Sequence, residues 1–375
     1  MPTTATSRSL TMVVRPATFS DHSQIASLEA RYGLGTKSYE EWTHLWSANP
    51  AFRSRPDWII GWVIEDANQH VVGSLGNIPL EYTFDGRRIL ACSGRGLVAD
   101  PAYRSACTML LDRLINHSTA DLYVNNTVGP DAAASFRLFE CPRVPSGVWD
   151  QAAFWIASYT EFFASVLRPK VHYAANVLTY PLSAAAFIND CWGIRALRAR
   201  DARVESCDGF DDRFDEFWEA LKGKRPKVLL AVRNRETLAW HFKYALLHNR
   251  LWIATVNDAS RLVAYAIFER RDAGGVAAGM RRMRMVDFQT LEPDSSLLCP
   301  LLSWALQRCR RQGIHLLENV GAWLENGELV RSLAPYRRKL PNWTYYYRAN
   351  FPGLARSLAD RNAWAPSLYD GDATL

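Results

Sequence analysis

The sequence has few of the patterns that mark disulfide-rich or zinc-binding proteins. Its 375 residues include seven cysteines, an odd number, and no two of them form a Cys-x-x-Cys motif. Paired spacings of that kind would indicate a disulfide framework or a zinc site. We therefore expect buried thiols and no bound metal at the cysteines, which are Cys92, Cys107, Cys141, Cys191, Cys207, Cys299 and Cys309.

Long apolar runs are also missing. The segment from Val148 to Leu167 is interrupted by Asp150 and Glu161, and a membrane span needs about 18 to 20 apolar residues. The first fourteen residues contain no apolar core of the kind found in secretory signals. These features predict no membrane span and a cytoplasmic protein.

Lysine is scarce, since only seven of the 44 basic residues are lysines, and the net charge of +6 is modest. Arginine forks suit phosphate and carboxylate ligands, so arginine clusters are candidates for binding a nucleotide, a cofactor phosphate or RNA. The alternative is a solvated, arginine-rich surface. The clusters lie at Arg281, Arg282 and Arg284, at Arg308, Arg310 and Arg311, and at Arg337, Arg338 and Lys339.

What is present indicates a folded globular protein of two parts. Hydrophobic residues make up 48% and charged residues 22% of the chain, and about 150 residues per domain is usual. Strand and helix patterns alternate in the first half and recur in a similar order in the second half. The prediction is an α/β (α+β) fold of two halves, residues 1–185 and 186–375, each a mixed, largely antiparallel sheet flanked by helices.

Three segments of the first half resemble the GNAT superfamily of acyl-CoA-dependent N-acyltransferases. They are VVRPAT near the start, GLVADPAYR before a helix, and the helix from Ala132 to Cys141. The resemblance implies that acyl-CoA is held at a strand end and at the following helix N-terminus, where backbone N–H groups bind anions. The residues that this assigns to the cofactor are Leu97, Val98 and Ala99 of the strand and Arg104, Ser105, Ala106 and Cys107 of the turn.

Two departures from the family pattern affect this expectation. The turn lacks the family's glycines and is shorter, and glycine lets a backbone approach phosphate closely. Phe136 stands where the family has a tyrosine that protonates the leaving thiolate. Tyr103 is then the candidate acid, with Tyr123 nearby, and a packing role for either tyrosine stays open.

The second half adds two candidates for deprotonating an acceptor amine. Asp287 lies mid-strand among apolar neighbours, which suits either a general base with a raised pKa or a structural carboxylate paired with an arginine such as Arg284. His241 lies in a helix similar to one in tandem GNAT-like proteins, and is either a base near neutral pH or a packed residue. The segment from Trp364 to Asp372 is either a surface tail or a flap over a cationic or sugar acceptor.

The resemblance implies transfer of an acyl group from acyl-CoA to a primary amine of an amino sugar or other polar metabolite. Acetyl is the leading choice of acyl group. The partners expected are this small amine and no nucleic acid. One alternative is an aminoacyl transferase like the FemABX ligases, which would bind tRNA, although no long helical hairpin with a heptad pattern is evident. Another is a degenerate GNAT scaffold that only binds. The oligomeric state stays open.

Overall fold

The computed structural model describes residues 11–145, 147–169, 175–197, 202–272, 279–292, 295–322, 324–340 and 343–375. The strands in these ranges are β1 Met12–Pro16, β2 Gly61–Asp66, β3 Val71–Phe84, β4 Arg87–Ala99, β5 Leu122–Val128, β6 Val148–Ile156, β7 Val204–Cys207, β8 Leu230–Ala231, β9 Leu251–Asp258, β10 Arg261–Arg270, β11 Arg282–Thr290, β12 Leu316–Ala322, β13 Tyr336–Lys339 and β14 Thr344–Ala349. The helices are α1 His22–Arg31, α2 Tyr39–Ser47, α3 Pro50–Arg53, α4 Cys107–Asn116, α5 Pro130–Leu138, α6 Tyr159–Leu167, α7 Ala175–Leu197, α8 Asp212–Lys224, α9 Arg235–Leu247, α10 Leu298–Arg311, α11 Leu324–Leu333 and α12 Pro352–Leu358.

Two seven-stranded sheets form the framework. The first has the order β1-β2-β3-β4-β5-β14, with β8 added to β3, and the second has the order β13-β6-β12-β11-β10-β9-β7. Among the described strands, β4 with β5 and β11 with β12 are parallel pairs, and the other pairs are antiparallel. The predicted architecture of mixed, largely antiparallel sheets flanked by helices is confirmed.

The two sheets exchange a strand. β6 comes from the first half of the chain and lies in the second sheet, between β12 and β13. β14 comes from the second half and pairs with β5 of the first sheet. Each sheet therefore needs residues from both halves of the chain, and one large apolar core contains side chains from both sheets.

Both sheets open at the same topological position. In the described strands, β4 and β5 pair only where β5 begins, through Ala91 with Leu122 and Cys92 with Tyr123. β4 then continues to Ala99 and β5 to Val128 without pairing with each other. We call the space between them the first opening.

The second sheet repeats this arrangement. β11 and β12 pair from Arg282 to Met285 on the β11 side, and β11 then continues to Thr290 paired with β10 and no longer with β12. We call the space between these two strands the second opening. Parallel strands that separate in this way leave backbone groups with no partner in the sheet.

A bulge in the strand beside each opening increases the number of unpaired residues. The β3–β4 register shifts between Ser74 and Gly76, which leaves Gly96 and Leu97 of β4 without a partner in the described strands. The β10–β11 register shifts between Ile267 and Phe268, which leaves Val286 in the same position. Bulges of this kind redirect the backbone at the edge of a functional site.

A helical hairpin occupies the region between the two halves of the sequence, where the strand and helix pattern is weak. α6 packs on the 23-residue α7. The Tyr159 hydroxyl donates to Asp190 over 2.8 Å, so the start of α6 meets the later part of α7 and the helices are antiparallel. This pair joins a nine-residue helix to a 23-residue one. None of the helices in the described ranges has the length and apolarity to cross a membrane.

Candidate active site

The first opening is bordered by a glycine that no other residue can replace without strain. Gly96 has a φ of +69°, and a Cβ atom there would lie 2.5 Å from Glu29 Oε1. Glu29 is buried and accepts from Arg95 Nη1 over 2.9 Å. The pair fixes the bulge against α1, so the backbone of Gly96 and Leu97 faces the opening in one conformation.

The three strand residues assigned to the cofactor differ in their pairing. Val98 and Ala99 are buried and pair with Ser74 and Gly73 of β3. Leu97 is half-buried and has no partner in the described strands. Of the three, Leu97 therefore has the backbone that is free of the sheet ladder.

The predicted phosphate-binding turn forms a 3-10 helix, Pro101–Ala106, that leads into α4. The Tyr103 N–H donates to the Asp100 carbonyl over 2.8 Å, and the Cys107 N–H donates to the Arg104 carbonyl. Hydrogen bonds between residues three apart use the N–H groups that a phosphate would need. In this conformation the turn offers the exposed side chains of Arg104 and Ser105 rather than a free backbone cradle.

The residue at the position of the family's tyrosine, Phe136, is part of the packed core. Phe136 of α5 is buried between Tyr123 and Tyr346, with ring centroids 5.9 and 5.2 Å away. Tyr103 is half-buried in the 3-10 helix and packs against the large core. Tyr103 therefore lies on the turn beside the first opening, whereas Tyr123 is part of an aromatic stack.

A buried charge cluster lies beside the second opening, with Arg233 at its centre. Arg233 Nε and Nη2 donate to the two carboxylate oxygens of Asp287 over 2.9 and 3.1 Å. The Tyr265 hydroxyl also donates to Asp287, over 3.0 Å. Although burial alone would raise it, the pKa of Asp287 is held below its usual range by Arg233.

These contacts overturn the first reading of Asp287, a general base, and support the second, a structural carboxylate paired with an arginine. Its pKa is lowered and not raised, because a guanidinium and several hydrogen bonds stabilise the carboxylate. Its arginine partner is Arg233 and not Arg284, which instead donates to the buried Glu318 over 2.8 Å. Asp287 is thus a fixed anion and a poor proton acceptor.

Asp370 is the second carboxylate on the same guanidinium. Arg233 Nη2 donates to Asp370 Oδ1 over 2.7 Å, and the Ser367 N–H donates to Asp370 Oδ2 over 2.6 Å. Burial raises the pKa of Asp370, and the charge of Asp287 adds to that rise. Two buried carboxylates share one cation, so Asp370 takes up a proton before Asp287 does.

The tail, defined here as residues 364–375, connects this cluster to the first sheet through Asn126 of β5. The Asn126 Nδ2 donates to the carbonyls of Leu368 and Asp370, each over 3.3 Å, and its Oδ1 accepts from the Ala373 N–H over 2.9 Å. Asp372 accepts from the Asn126 N–H over 2.8 Å and from the Thr127 hydroxyl. Burial raises the pKa of Asp372 despite these bonds.

The tail also occupies the second opening. The Tyr369 N–H donates to the Val286 carbonyl over 3.1 Å, at the bulge residue that has no partner in the described strands. The Tyr369 ring lies under Arg233, 4.8 Å from the guanidinium carbon. The tail thus occupies the Val286 carbonyl, the backbone acceptor that the second opening would otherwise offer to a ligand.

His241 of α9 contacts the other side of the tail. Its Nε2 lies 2.7 Å from the Thr374 hydroxyl oxygen, and its ring lies 4.6 Å from the ring of Tyr369. Burial lowers the pKa of His241 to about 3. The expectation of a base that titrates near neutral pH is therefore wrong, and the ring is neutral and packed.

A cation that sequence reasoning missed lies next to the first opening. Lys37 follows α1 in a loop whose Gly35 carbonyl accepts from Arg95 Nη2 over 3.2 Å. Burial, together with the charges of Arg95 and Arg271, lowers the pKa of Lys37 to about 8. Within the described part of the chain, Lys37 forms no ion pair.

The structure thus brings together some of the predicted residues and adds others. Asp287 and His241 both lie close to Tyr369, whereas Tyr103 and Leu97 lie at the first opening. The residues that the sequence did not reveal are Arg233, Asp370, Asp372, Asn126 and Lys37. The tail's acidic residues were a signal for part of this set, but nothing local distinguishes Arg233 from the other arginines.

A separate groove of about 890 Å³ lies between the β3–β4 hairpin and helices α8 and α9. It includes none of the predicted site residues. In the described ranges no cluster of three potential metal ligands is present.

Comparisons with known proteins give the fold a name. No family model and no curated protein matches this sequence. Among solved structures, a GCN5-related N-acetyltransferase from Kribbella flavida matches with a TM-score of 0.54 and 11% identity, over 91% of this chain and 71% of that chain. One from Anabaena variabilis matches with a TM-score of 0.52 and 13% identity, over 90% and 73%.

A third structure extends the comparison. Saccharomyces cerevisiae N-myristoyltransferase with bound myristoyl-CoA matches with a TM-score of 0.57 and 12% identity, over 90% of this chain and 81% of that chain. At such identities the likeness concerns the fold. These matches cover about nine-tenths of this chain, which has two sheets that each open between parallel strands. The chain therefore has the GNAT fold in a tandem arrangement.

Proposed function

We propose that this protein is an acyl-CoA-dependent N-acyltransferase that transfers an acyl group to the primary amine of a small polar metabolite. Acetyl is the leading choice of acyl group. The observation that carries the proposal is the first opening, where Gly96 and Leu97 have no strand partner. Unpaired backbone at the separated ends of strands is where a ligand can form sheet-like hydrogen bonds. The fold shared with acyl-CoA enzymes makes acyl-CoA the first ligand to test.

The cofactor would lie along the β4 end of this opening. Leu97 would offer its free backbone, while Val98 and Ala99 hold the strand in place through β3. The exposed Arg104 and Ser105 would meet the phosphates, since the Cys107 N–H is already bonded. When bound, acyl-CoA supplies an activated acyl group, and the protein has to orient it and remove a proton from the amine.

Asp372 is the residue we assign to proton removal. A base that works near neutral pH needs a pKa moved toward neutrality, and burial raises that of Asp372. The 3-10 turn that carries it contacts both β4 and β5, which places it at the first opening. Asp287 instead holds Arg233, and Tyr103 is retained as the candidate acid for the leaving thiolate.

The acceptor is assigned as an amine that is protonated in solution, because Asp372 is a carboxylate at the first opening and would attract its ammonium form.

Thermal shift and titration calorimetry with acetyl-CoA, longer acyl-CoAs and free CoA test the cofactor assignment, because a ligand that prefers the native state raises the melting temperature. We expect a shift with acyl-CoA, and turnover with an amine found by screening. Asp372→Asn should keep the shift and lose turnover, whereas Asp360→Asn, an exposed acid of the preceding turn, should keep both. No shift with any CoA species would overturn the proposal and favour a degenerate scaffold.

The aminoacyl-tRNA alternative keeps one point of support, the hairpin of α6 and α7. Bulk tRNA belongs in the same thermal-shift series for that reason. A shift with tRNA that persists at moderate salt, with none for acyl-CoA, would replace the leading proposal. Electrostatic binding to nucleic acid otherwise falls steeply with salt.

A further inference from the structure

Three polar side chains of α7 are turned inward. Thr179, Ser183 and Asp190 are buried, and Asp190 is only 1% exposed. Their spacing of four and seven residues puts them on one face of the helix. The Ser183 hydroxyl donates to the Thr179 carbonyl over 2.7 Å, and Asp190 accepts from Tyr159 of α6.

The opposite face of α7 is apolar and exposed. Val177 is 74%, Tyr180 is 70% and Ile188 is 67% exposed, and Leu178, Leu182 and Phe187 are exposed beside them. A helix on the surface of a water-soluble protein normally has the reverse arrangement. A contiguous apolar face of this kind marks a surface that meets a partner or a membrane.

The sequence on both sides of this face is rich in basic residues. Residues 168–203 contain six lysines and arginines and two aspartates, and none of the six basic residues lies between 171 and 194. One of the two aspartates, Asp190, is buried against Tyr159. The apolar face therefore lies between two basic ends of the sequence segment.

The distribution of apolar and basic residues distinguishes three possible binding partners of this face, which are RNA, a second copy of the chain and a lipid bilayer. RNA requires basic residues along the contact, and the face itself has none. If two copies of the hairpin paired through this face, parallel or antiparallel, a basic end of one copy would lie beside a basic end of the other, and the two ends would repel each other. An anionic bilayer accepts both features, because its interior takes the apolar side chains and its surface charge attracts the basic ends.

We propose that the exposed face of α7 docks this protein on an anionic lipid surface, with the helix lying in the interface and not crossing it. The inference is independent of the proposed acyl transfer. It involves neither opening of the sheets, since α7 lies outside both of them.

Co-sedimentation of the full chain with vesicles tests the docking. We expect binding to vesicles of phosphatidylcholine with phosphatidylglycerol, and weaker binding to phosphatidylcholine alone or in high salt. The double variant Phe187→Ser/Ile188→Ser should lose about tenfold or more in partition, because each side chain no longer transfers apolar area to the bilayer. Leu138→Ser and Leu247→Ser, at similarly exposed apolar positions on α5 and α9, should bind as the unaltered chain does.

A second variant, Val177→Ser/Tyr180→Ser, keeps the test valid if the first does not fold, and circular dichroism checks both. Unchanged vesicle binding in a folded double variant would overturn the proposal. So would sedimentation velocity that shows a dimer abolished by the same substitutions, or tRNA retention that they abolish, with no vesicle binding in either case.

Discussion

The two openings have the same topology and different contents. At the first opening, Gly96 and Leu97 have no partner in the described strands, and the adjoining turn carries an exposed arginine. At the second opening, the equivalent bulge residue, Val286, already accepts a hydrogen bond from the backbone of Tyr369. One architecture can thus provide a ligand site in one copy and a site filled by the chain itself in the other.

The difference arises from how the tail is anchored. Arg233 holds Asp370 beside the second opening, and Asn126 holds the following residues against β5 of the first sheet. Tyr369 therefore fills the second opening, while Asp372 reaches the first. The tail therefore closes the second opening and contributes a carboxylate to the first.

Removal of the cation beside the second opening should have the largest effect. Arg233→Met leaves Asp287 and Asp370 buried without a counter-charge, so the free energy of unfolding should fall by about 3–5 kcal/mol. Urea denaturation at pH 7 measures the loss. The neighbouring Arg235→Met is the control, because its pairs with Asp212 and Asp215 are exposed and should be worth about 0–1 kcal/mol. Similar losses for both variants would show that the buried cluster does not anchor the tail.

A change at the first opening should affect ligand binding more than stability. Gly96→Ala adds a Cβ against Glu29 and strains a left-handed residue, at a cost of about 1–3 kcal/mol. We expect the melting shift with acyl-CoA to disappear. Gly86→Ala has a similar φ of +73° with nothing near its Cβ, so it should be strained to a similar degree and still bind. If Gly96→Ala binds acyl-CoA normally, the first opening is not the cofactor site.

The connection between the tail and the first sheet can be weakened separately. Asn126→Ala removes three side-chain hydrogen bonds to the tail and should cost about 1–3 kcal/mol. Hydrogen exchange at the Tyr369 amide should accelerate, since that amide closes the second opening. Asn350→Ala, which removes a bond to the Ala120 carbonyl outside the tail, should leave the exchange of Tyr369 unchanged. Slow exchange in Asn126→Ala would mean that the second opening is closed without help from β5.

The last prediction concerns the pH dependence of stability at the first opening. The folded state lowers the pKa of Lys37 from 10.5 to about 8, so the unfolded chain binds its proton more tightly. The free energy of unfolding should therefore rise as the pH goes from 8 to 10.5. Lys37→Met should remove that part of the rise, and Lys339→Met, at an exposed lysine, should not. Parallel stability curves for the unaltered chain and Lys37→Met would show that Lys37 is solvated.

The sequence predicted the strands and helices well where local patterns were strong. The exchange of β6 and β14 between the sheets depends on long-range pairing that leaves no local pattern. The same reason explains why the sequence did not identify which arginine pairs with Asp287. Its partner Arg233 is 54 residues away in the chain, while Arg284 is close in sequence and faces Glu318.

Hydrophobic periodicity and the motifs around β4 and α4 by themselves determined the fold class and the family resemblance, because these features depend on neighbouring residues. Only the tertiary structure decided which opening is free, which carboxylate has a raised pKa, and which face of α7 meets solvent. Each of those outcomes depends on burial and on charges brought together from distant parts of the chain. The tail shows this most directly, since its sequence suits a surface segment and its contacts place it between two sheets.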